Sequence, residues 1–429
     1  MNRKLLFLER FIYGDGTIPK NVTFNVKMLG TFTMNHLQHA LAKVQAKHPA
    51  LRARVVEDDK GIPWFVDMAR LTPIHIRFTE RCGDDGWLKE SELECTQPFK
   101  GNGPLMRVVW MHSPDVSDLM LVCHHCICDG ASVITLLREI LQLLDQPDTN
   151  IGRYEAFSSI KDLLPAEVLA DRKIRRQAKF IRWAVQLYLT FFASRKKIPW
   201  GKDYTIRWRL SKAETAALTQ RCQEEEVTMH AALCVALIMA FRHVKGAQAG
   251  YRVFCPVNIR RYLRNIKTDM LLGFATSITL SLDNDPELDL ASRIQLMNNN
   301  LTDQLMGMNV YKKLMTSEYQ HRLVKKLEKC IRNAKGNHAL TFSNLGRLDI
   351  SKHYENFEVA TVHNPIILFR SANPNGIVTS TFDGQLGFSL LSNDAHLSQT
   401  DAAAIRDKAM EILFNTWMSA PRVALTNTL

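Results

Sequence analysis

Leu121-Val-Cys-His-His-Cys-Ile-Cys-Asp-Gly-Ala-Ser132 is the stretch whose reading decides the fold. Leu119 to Cys123 has the length and apolar character of a strand, and Ala131 to Leu144 has the periodicity of a helix. Two adjacent histidines sit where the strand ends, and an Asp-Gly turn leads into the helix. Neighbouring strand residues point to opposite faces, so only one of His124 and His125 can face a given cleft. A neutral imidazole in that place suits removing a proton from a hydroxyl or an amine. The plainer reading is one core histidine beside one surface histidine.

Three cysteines, Cys123, Cys126 and Cys128, interleave with the histidines. A zinc cluster is a poor fit, because structural zinc sites use a close ligand pair and a second pair far away, whereas here all candidates crowd one strand end. No metal is expected. A cysteine nucleophile fails for a related reason: adjacent strand residues point apart and cannot form a cysteine–histidine pair.

Upstream, Val22 to Leu29 alternates as a strand, Asn35 to His48 carries Leu37, Leu41 and Val44 on one helical face, and Leu105 to Met111 is a further strand. Pro147 and Asp148 then break the pattern, and a polar stretch leads into a basic one. Beyond it, Leu210 to Glu225 and Thr228 to Phe241 are expected as helices, the second capped by Thr228 and buried. Strands are expected at Val253 to Pro256, Thr276 to Leu282, Ala339 to Phe342 and Gly376 to Leu391. The division that follows is an N-terminal unit, 1–170, carrying the histidines, a crossover at 171–202, and a C-terminal unit, 203–429.

A chain of 429 residues, 46% apolar and 23% charged, supports two packed units with a cleft between them. The start, with four apolar residues between Lys4 and Glu9, is not expected to act as a secretory signal, and no apolar run has the length to span a bilayer. Nine scattered cysteines suit a reducing compartment, so a cytoplasmic protein, soluble or peripheral at a membrane, is expected. A net charge of +12 favours anionic partners. No zinc-finger spacing or aromatic-glycine motif accompanies it, so nucleic acid is not expected among them.

His-His-x-x-x-Asp-Gly between a strand and a helix resembles the signature of the acyl-CoA-dependent acyltransferase superfamily, which includes condensation domains, polyketide-associated acyltransferases and alcohol acetyltransferases. Other segments resemble it in the same order: His48-Pro-Ala-Leu-Arg, Pro98-Phe-Lys-Gly-Asn-Gly-Pro-Leu-Met-Arg, Glu226-Val-Thr-Met-His-Ala-Ala-Leu, Cys255-Pro-Val-Asn-Ile-Arg-Arg, Leu272-Gly-Phe-Ala-Thr, Ser343-Asn-Leu-Gly and Phe382-Asp-Gly-Gln-Leu-Gly-Phe-Ser-Leu. The likeness covers nearly the whole chain. Plant members usually carry Asp-Phe-Gly-Trp-Gly where this chain has Ser343-Asn-Leu-Gly, a departure that favours the microbial polyketide-associated or alcohol-acyltransferase type.

The resemblance implies an α/β fold of two chloramphenicol-acetyltransferase-like domains, each a largely antiparallel sheet flanked by helices, with a channel between them. It implies His125 as general base in acyl transfer from a thioester to an alcohol or amine, in lipid or natural-product biosynthesis. Asp129 would be structural, paired with Arg260 or, less well, with Arg261 or Arg107, and Gly130 would permit the turn. His124, Ser343 and Asn344 are candidates for the channel or for stabilising the oxyanion. No bound cofactor is implied; the co-substrate is acyl-CoA or an acyl carrier protein thioester, the acceptor a small molecule or lipid, and the enzyme a free-standing monomer. The competing reading is a catalytically silent condensation-like scaffold that recruits a carrier protein.

Two basic segments add detail. Arg172 to Lys202 holds Trp183-Ala-Val-Gln-Leu-Tyr-Leu-Thr-Phe-Phe-Ala between clusters of Arg and Lys, the pattern of an interfacial amphipathic helix in peripheral contact with a membrane; a crossover helix with a solvated basic end has the same pattern. Lys312 to Lys335 suits the phosphates of coenzyme A or an acidic carrier, or is simply a solvated helix face.

Overall fold

The structure, a computed structural model, describes residues 1–14, 16, 18–99, 103–192, 199–283, 285–333, 338–368 and 373–419. Ala193 and the basic cluster that follows it, Lys335 and the segment Lys100-Gly-Asn, all part of stretches quoted above, lie outside the described residues.

Two six-stranded sheets organise the chain. The first runs Phe357–Val362, Asn21–Gly30, Val116–His124, Met106–His112, His75–Glu80, with Ile366–Ile367 also paired to Asn21–Gly30. Its pairings are antiparallel except that His75–Glu80 lies parallel to Met106–His112. The second runs Thr276–Ser281, Arg252–Val257, Leu340–Arg347, Gly376–Phe382, Gln385–Asn393, Asp203–Arg209. There the strand Leu340–Arg347 is parallel to both neighbours, and the remaining pairs are antiparallel. A three-stranded sheet of Arg3–Lys4, Pro63–Asp67 and Ala53–Glu57 completes the set.

Each large sheet has its own core. In the first, the helix Gly130–Asp145 buries Val133, Leu136, Leu137, Ile140, Leu141 and Leu144, the i, i+3, i+4, i+7 stripe of an amphipathic helix, and Met34–Lys47 buries Leu37, Ala40, Leu41 and Val44 beside it. Thr33 caps the latter and Pro49 follows its end, because proline cannot continue the backbone ladder. In the second core, Met229–Lys245 is apolar nearly all round, and the Thr228 hydroxyl accepts the Ala231 N–H at its start. Between the sheets, Val109, Met111, Met120 and Val122 of the first pack against Val378 and Leu391 of the second.

The boundary expected at 203 does not separate the two sheets. Phe357–Val362 and Ile366–Ile367 cross back from the C-terminal half to pair with Asn21–Gly30, and Val359 and Val362 are buried in the first core. This alternating segment is a strand whose partner lies more than 300 residues earlier, and it brings Val359 and Val362 into the same core as Val22, Phe24, Val26 and Met28.

A polar cluster fastens the halves where they meet. Lys47 Nζ donates to Glu139 (2.6 Å) and Asp269 (2.9 Å), His48 Nε2 lies 2.8 Å from Glu139, and the Tyr154 hydroxyl donates to Asp269. Burial opposes the Lys47 charge, yet the two carboxylates hold its pKa above the ordinary lysine value. Asp269, against its own burial, is held down at about 2 by Tyr154 and Lys47. The cluster ties the loop that follows Arg260 to the helices of the first sheet. Among the described residues no single helix is long and apolar enough to cross a membrane.

Candidate active site

The strand Val116–His124 lies in the middle of the first sheet, and the chain leaves it through a tight turn before the helix Gly130–Asp145. Backbone bonds hold the turn: His125 N–H donates to Lys20 C=O (2.8 Å), Ile127 N–H to His124 C=O (3.0 Å) and Cys128 N–H to His125 C=O (3.3 Å).

The two histidines have different surroundings. His124 is 4% exposed, its ring packs 5.5 Å from Tyr13, and its Nδ1 accepts the Cys126 N–H at 3.1 Å. Burial above all, then the proximity of His125 and Lys20, pushes its pKa down to about 3. It is therefore a neutral brace of the turn. His125 is only half-buried. Burial also lowers its pKa below the imidazole value, while the nearby Asp129 opposes that shift, so His125 is neutral at pH 7 and able to accept a proton.

Asp129 points away to Arg260. The guanidinium makes a two-pronged contact, NH1 to Oδ2 at 2.7 Å and NH2 to Oδ1 at 2.8 Å, and its Nε donates to Met270 C=O at 2.9 Å. Burial alone would raise the Asp129 pKa, but the Arg260 charge and the Ser132 donors hold it low. Asp129 also caps the helix, accepting the Ser132 N–H (2.9 Å) and hydroxyl (2.8 Å). The other two arginines are engaged elsewhere: Arg107 with Glu94, and Arg261 with the Tyr262 hydroxyl.

Gly130 has a different role from the one expected of a turn glycine. It is the first residue of the helix and is not among the described glycines with positive φ. A Cβ there would stand 2.6 Å from Leu345 Cδ2, so the glycine serves a close approach between the two halves.

Two residues escaped the sequence reading. The Ser132 hydroxyl takes a donor from Arg260 (2.8 Å) and from Leu272 N–H (3.1 Å), joining the motif helix to the C-terminal half. Gly273 presses on the turn itself: a Cβ would lie 1.8 Å from Cys126 O and 2.8 Å from Ile127 N. Both stand in segments quoted above, but nothing in their local pattern reveals a contact made across more than 100 residues.

The oxyanion candidates separate. Leu340 and Phe342 are buried in the second core, so by alternation Ser343 faces the first sheet. Asn344 turns its Oδ1 back to accept the Gly346 N–H at 2.9 Å, and the register shift after it delivers Leu345 to Gly130. A small cavity of about 30 Å³ behind the turn is lined by Cys126 and Ile127 together with Arg3, His48 and Gly273, room for a water and not for an acyl chain.

Cys123, Cys126 and Cys128 are fully buried, and burial holds the last two well above the ordinary thiol value, which removes them as nucleophiles. The donor group that a metal could span among the described residues is elsewhere: His230, Cys234 and Cys255, with ligand atoms within 4.8 Å of one another. It lies in the second core, on the helix-covered side of that sheet with Leu340 and Phe342.

Two paired mixed sheets flanked by helices, with a His-His-turn-Asp-Gly junction where they meet, define a protein of the condensation and acyltransferase class. Residues 12–306 match the Condensation domain family, and the chain belongs to that family. It is 23% identical over 240 residues to a protein described as a probable alcohol acetyltransferase of Fusarium pseudograminearum, a match that takes in 50% of this chain and 48% of the relative. The chain thus spans about half the length of that relative. Among solved structures, the trichothecene 15-O-acetyltransferase of Fusarium sporotrichioides superposes with a TM-score of 0.74 at 11% identity, over 97% of this chain and 95% of the other. The epimerization domain of tyrocidine synthetase B superposes with a TM-score of 0.69 at 16% identity, over 97% and 96%. At these identities the likeness establishes the fold.

Proposed function

We propose that this protein transfers an acyl group from a thioester, carried by coenzyme A or an acyl carrier protein, to an alcohol or amine, with His125 as general base. One observation carries the reading: of two adjacent neutral histidines, His124 is used up bracing the turn, while His125 is half-buried at the junction and Asp129 is diverted to Arg260. In the reaction, His125 takes the acceptor's proton as the oxygen or nitrogen attacks the thioester carbonyl. The new bond forms, charge gathers on the carbonyl oxygen, the C–S bond breaks, and His125 returns the proton to the departing thiolate. Ser343 is the better placed of the two oxyanion candidates, because Asn344 is turned back onto Gly346. In this reading donor and acceptor reach His125 from opposite sides of the junction between the two halves. Lys325, Lys326 and Lys329, exposed on the helix Val324–Asn333, supply positive charge for a phosphate-bearing donor.

The test is thiol release from a panel of acyl-CoAs and acyl-loaded carriers with pooled alcohols and amines. A general base contributes about 10²- to 10⁴-fold, so His125→Ala should lose activity by that order. Acceptor-dependent release that survives the substitution removes His125 as the base. Carrier binding without release from any donor would instead favour the silent scaffold.

A further inference from the structure

We propose that the outward face of the crossover helix Arg172–Phe191 docks on an anionic lipid surface. The helix has two apolar stripes. Ile174, Ala178 and Val185 turn toward the body of the protein, where the helix packs along Val310–Glu318. Phe180, Trp183, Leu187 and Phe191, at i, i+3, i+7 and i+11, form a second stripe roughly opposite, by helical geometry. Phe180 is 65%, Trp183 57% and Phe191 72% exposed, and Phe192, which ends the helix, 74%. An aromatic patch of this kind on a folded surface marks a contact site.

Charge identifies the occupant. Residues 172–192 contain six Arg or Lys and no Asp or Glu. Arg172, Lys173 and Arg176 lead into the aromatic stripe, and Arg175, Lys179 and Arg182 run along its edge. Lys312 adds a cation in the gap beside Phe180 and Ile181. A second copy of this chain would bring the same cations face to face, whereas an anionic surface neutralises them while the aromatic rings enter the headgroup boundary. The helix is already formed, its first turn capped by Asp171, which accepts the N–H groups of Lys173 (2.7 Å) and Ile174 (3.1 Å), so little ordering accompanies docking. It is also too rich in cations to cross the bilayer and lies in its plane.

Flotation of the full chain with vesicles of phosphatidylcholine alone or with 30% phosphatidylserine tests the proposal and uses no substrate, so its failure leaves the acyl-transfer reading untouched. Binding to the phosphatidylserine vesicles, weakened by 0.5 M salt and absent with the neutral ones, is expected. Each cation near such a surface is worth roughly fivefold in partitioning, so R176E/K179E should reduce binding by more than tenfold. W183S/F191S, changing only exposed side chains, should do likewise while circular dichroism and melting temperature stay unchanged. Three results overturn the proposal: no binding to either vesicle, equal binding to both, or a dimer that W183S/F191S converts to monomer while vesicles are ignored.

Discussion

The chain gathers histidine and cysteine in two places, and they differ in what lies around the imidazole. At the turn, Cys123, Cys126 and Cys128 are buried and His124 is braced, but His125 stands half-buried where the two halves meet. In the second core, His230 stacks on Phe342 (4.9 Å between ring centroids) beside Cys234 and Cys255, behind the sheet and away from that junction. The residue types are nearly the same. What differs is the face of the sheet, which under the proposed function decides whether a substrate can meet the imidazole.

The sharpest way to break this contrast is to remove each histidine in turn. His125→Ala should lower kcat/KM by about 10²- to 10⁴-fold, whereas His230→Gln should leave it within a few-fold. Equal losses in kinetics with soluble acyl-CoA would erase the distinction. Next in size is the ion pair behind the turn: Asp129→Ala leaves Arg260 buried without its carboxylate and should cost about 3 to 5 kcal/mol in denaturant unfolding. A loss under 1 kcal/mol would mean the pair holds nothing together.

Gly273→Ala comes third. Its Cβ would meet Cys126 backbone, which cannot swing aside like a side-chain tip, so a loss of about 1 to 3 kcal/mol is expected, with activity falling as the turn is displaced. Gly130→Ala meets only the flexible end of Leu345 and should cost less in the same melt. The smallest effects are in pH. Because burial lowers the His125 pKa below 6.5, the active neutral base persists as pH falls past that value, and the acid limb of kcat/KM should lie below it. For His124, at about 3 when folded against 6.5 unfolded, stability is fully present above 6.5 and drains away as pH falls toward 3. A melting temperature flat over that window would contradict a neutral brace.

Much of this was legible along the chain. The strand into His124, the helix after Asp129 and the Thr228 cap each follow from local periodicity and capping chemistry, which need only a few neighbouring residues. The motif's likeness to a known family named Arg260 as one of three partners for Asp129, and the distances single it out. Ser132, Gly273 and the return of Phe357–Val362 to the first sheet were not legible, because each is a contact between distant segments whose local pattern is that of any strand, loop or helix start.

The sequence by itself determined the His-His-x-x-x-Asp-Gly run, the alternation of strands and helices, the excess of positive charge and the apolar stretch between basic clusters in the crossover helix. Those properties are written in residue type and spacing, which no packing can alter. The tertiary structure decided which histidine is spent on the turn, which arginine neutralises Asp129, why Gly130 has no side chain and which aromatic stripe stays in solvent. Each depends on what another part of the chain places against the residue, and burial and electrostatic pairing are set by that neighbour.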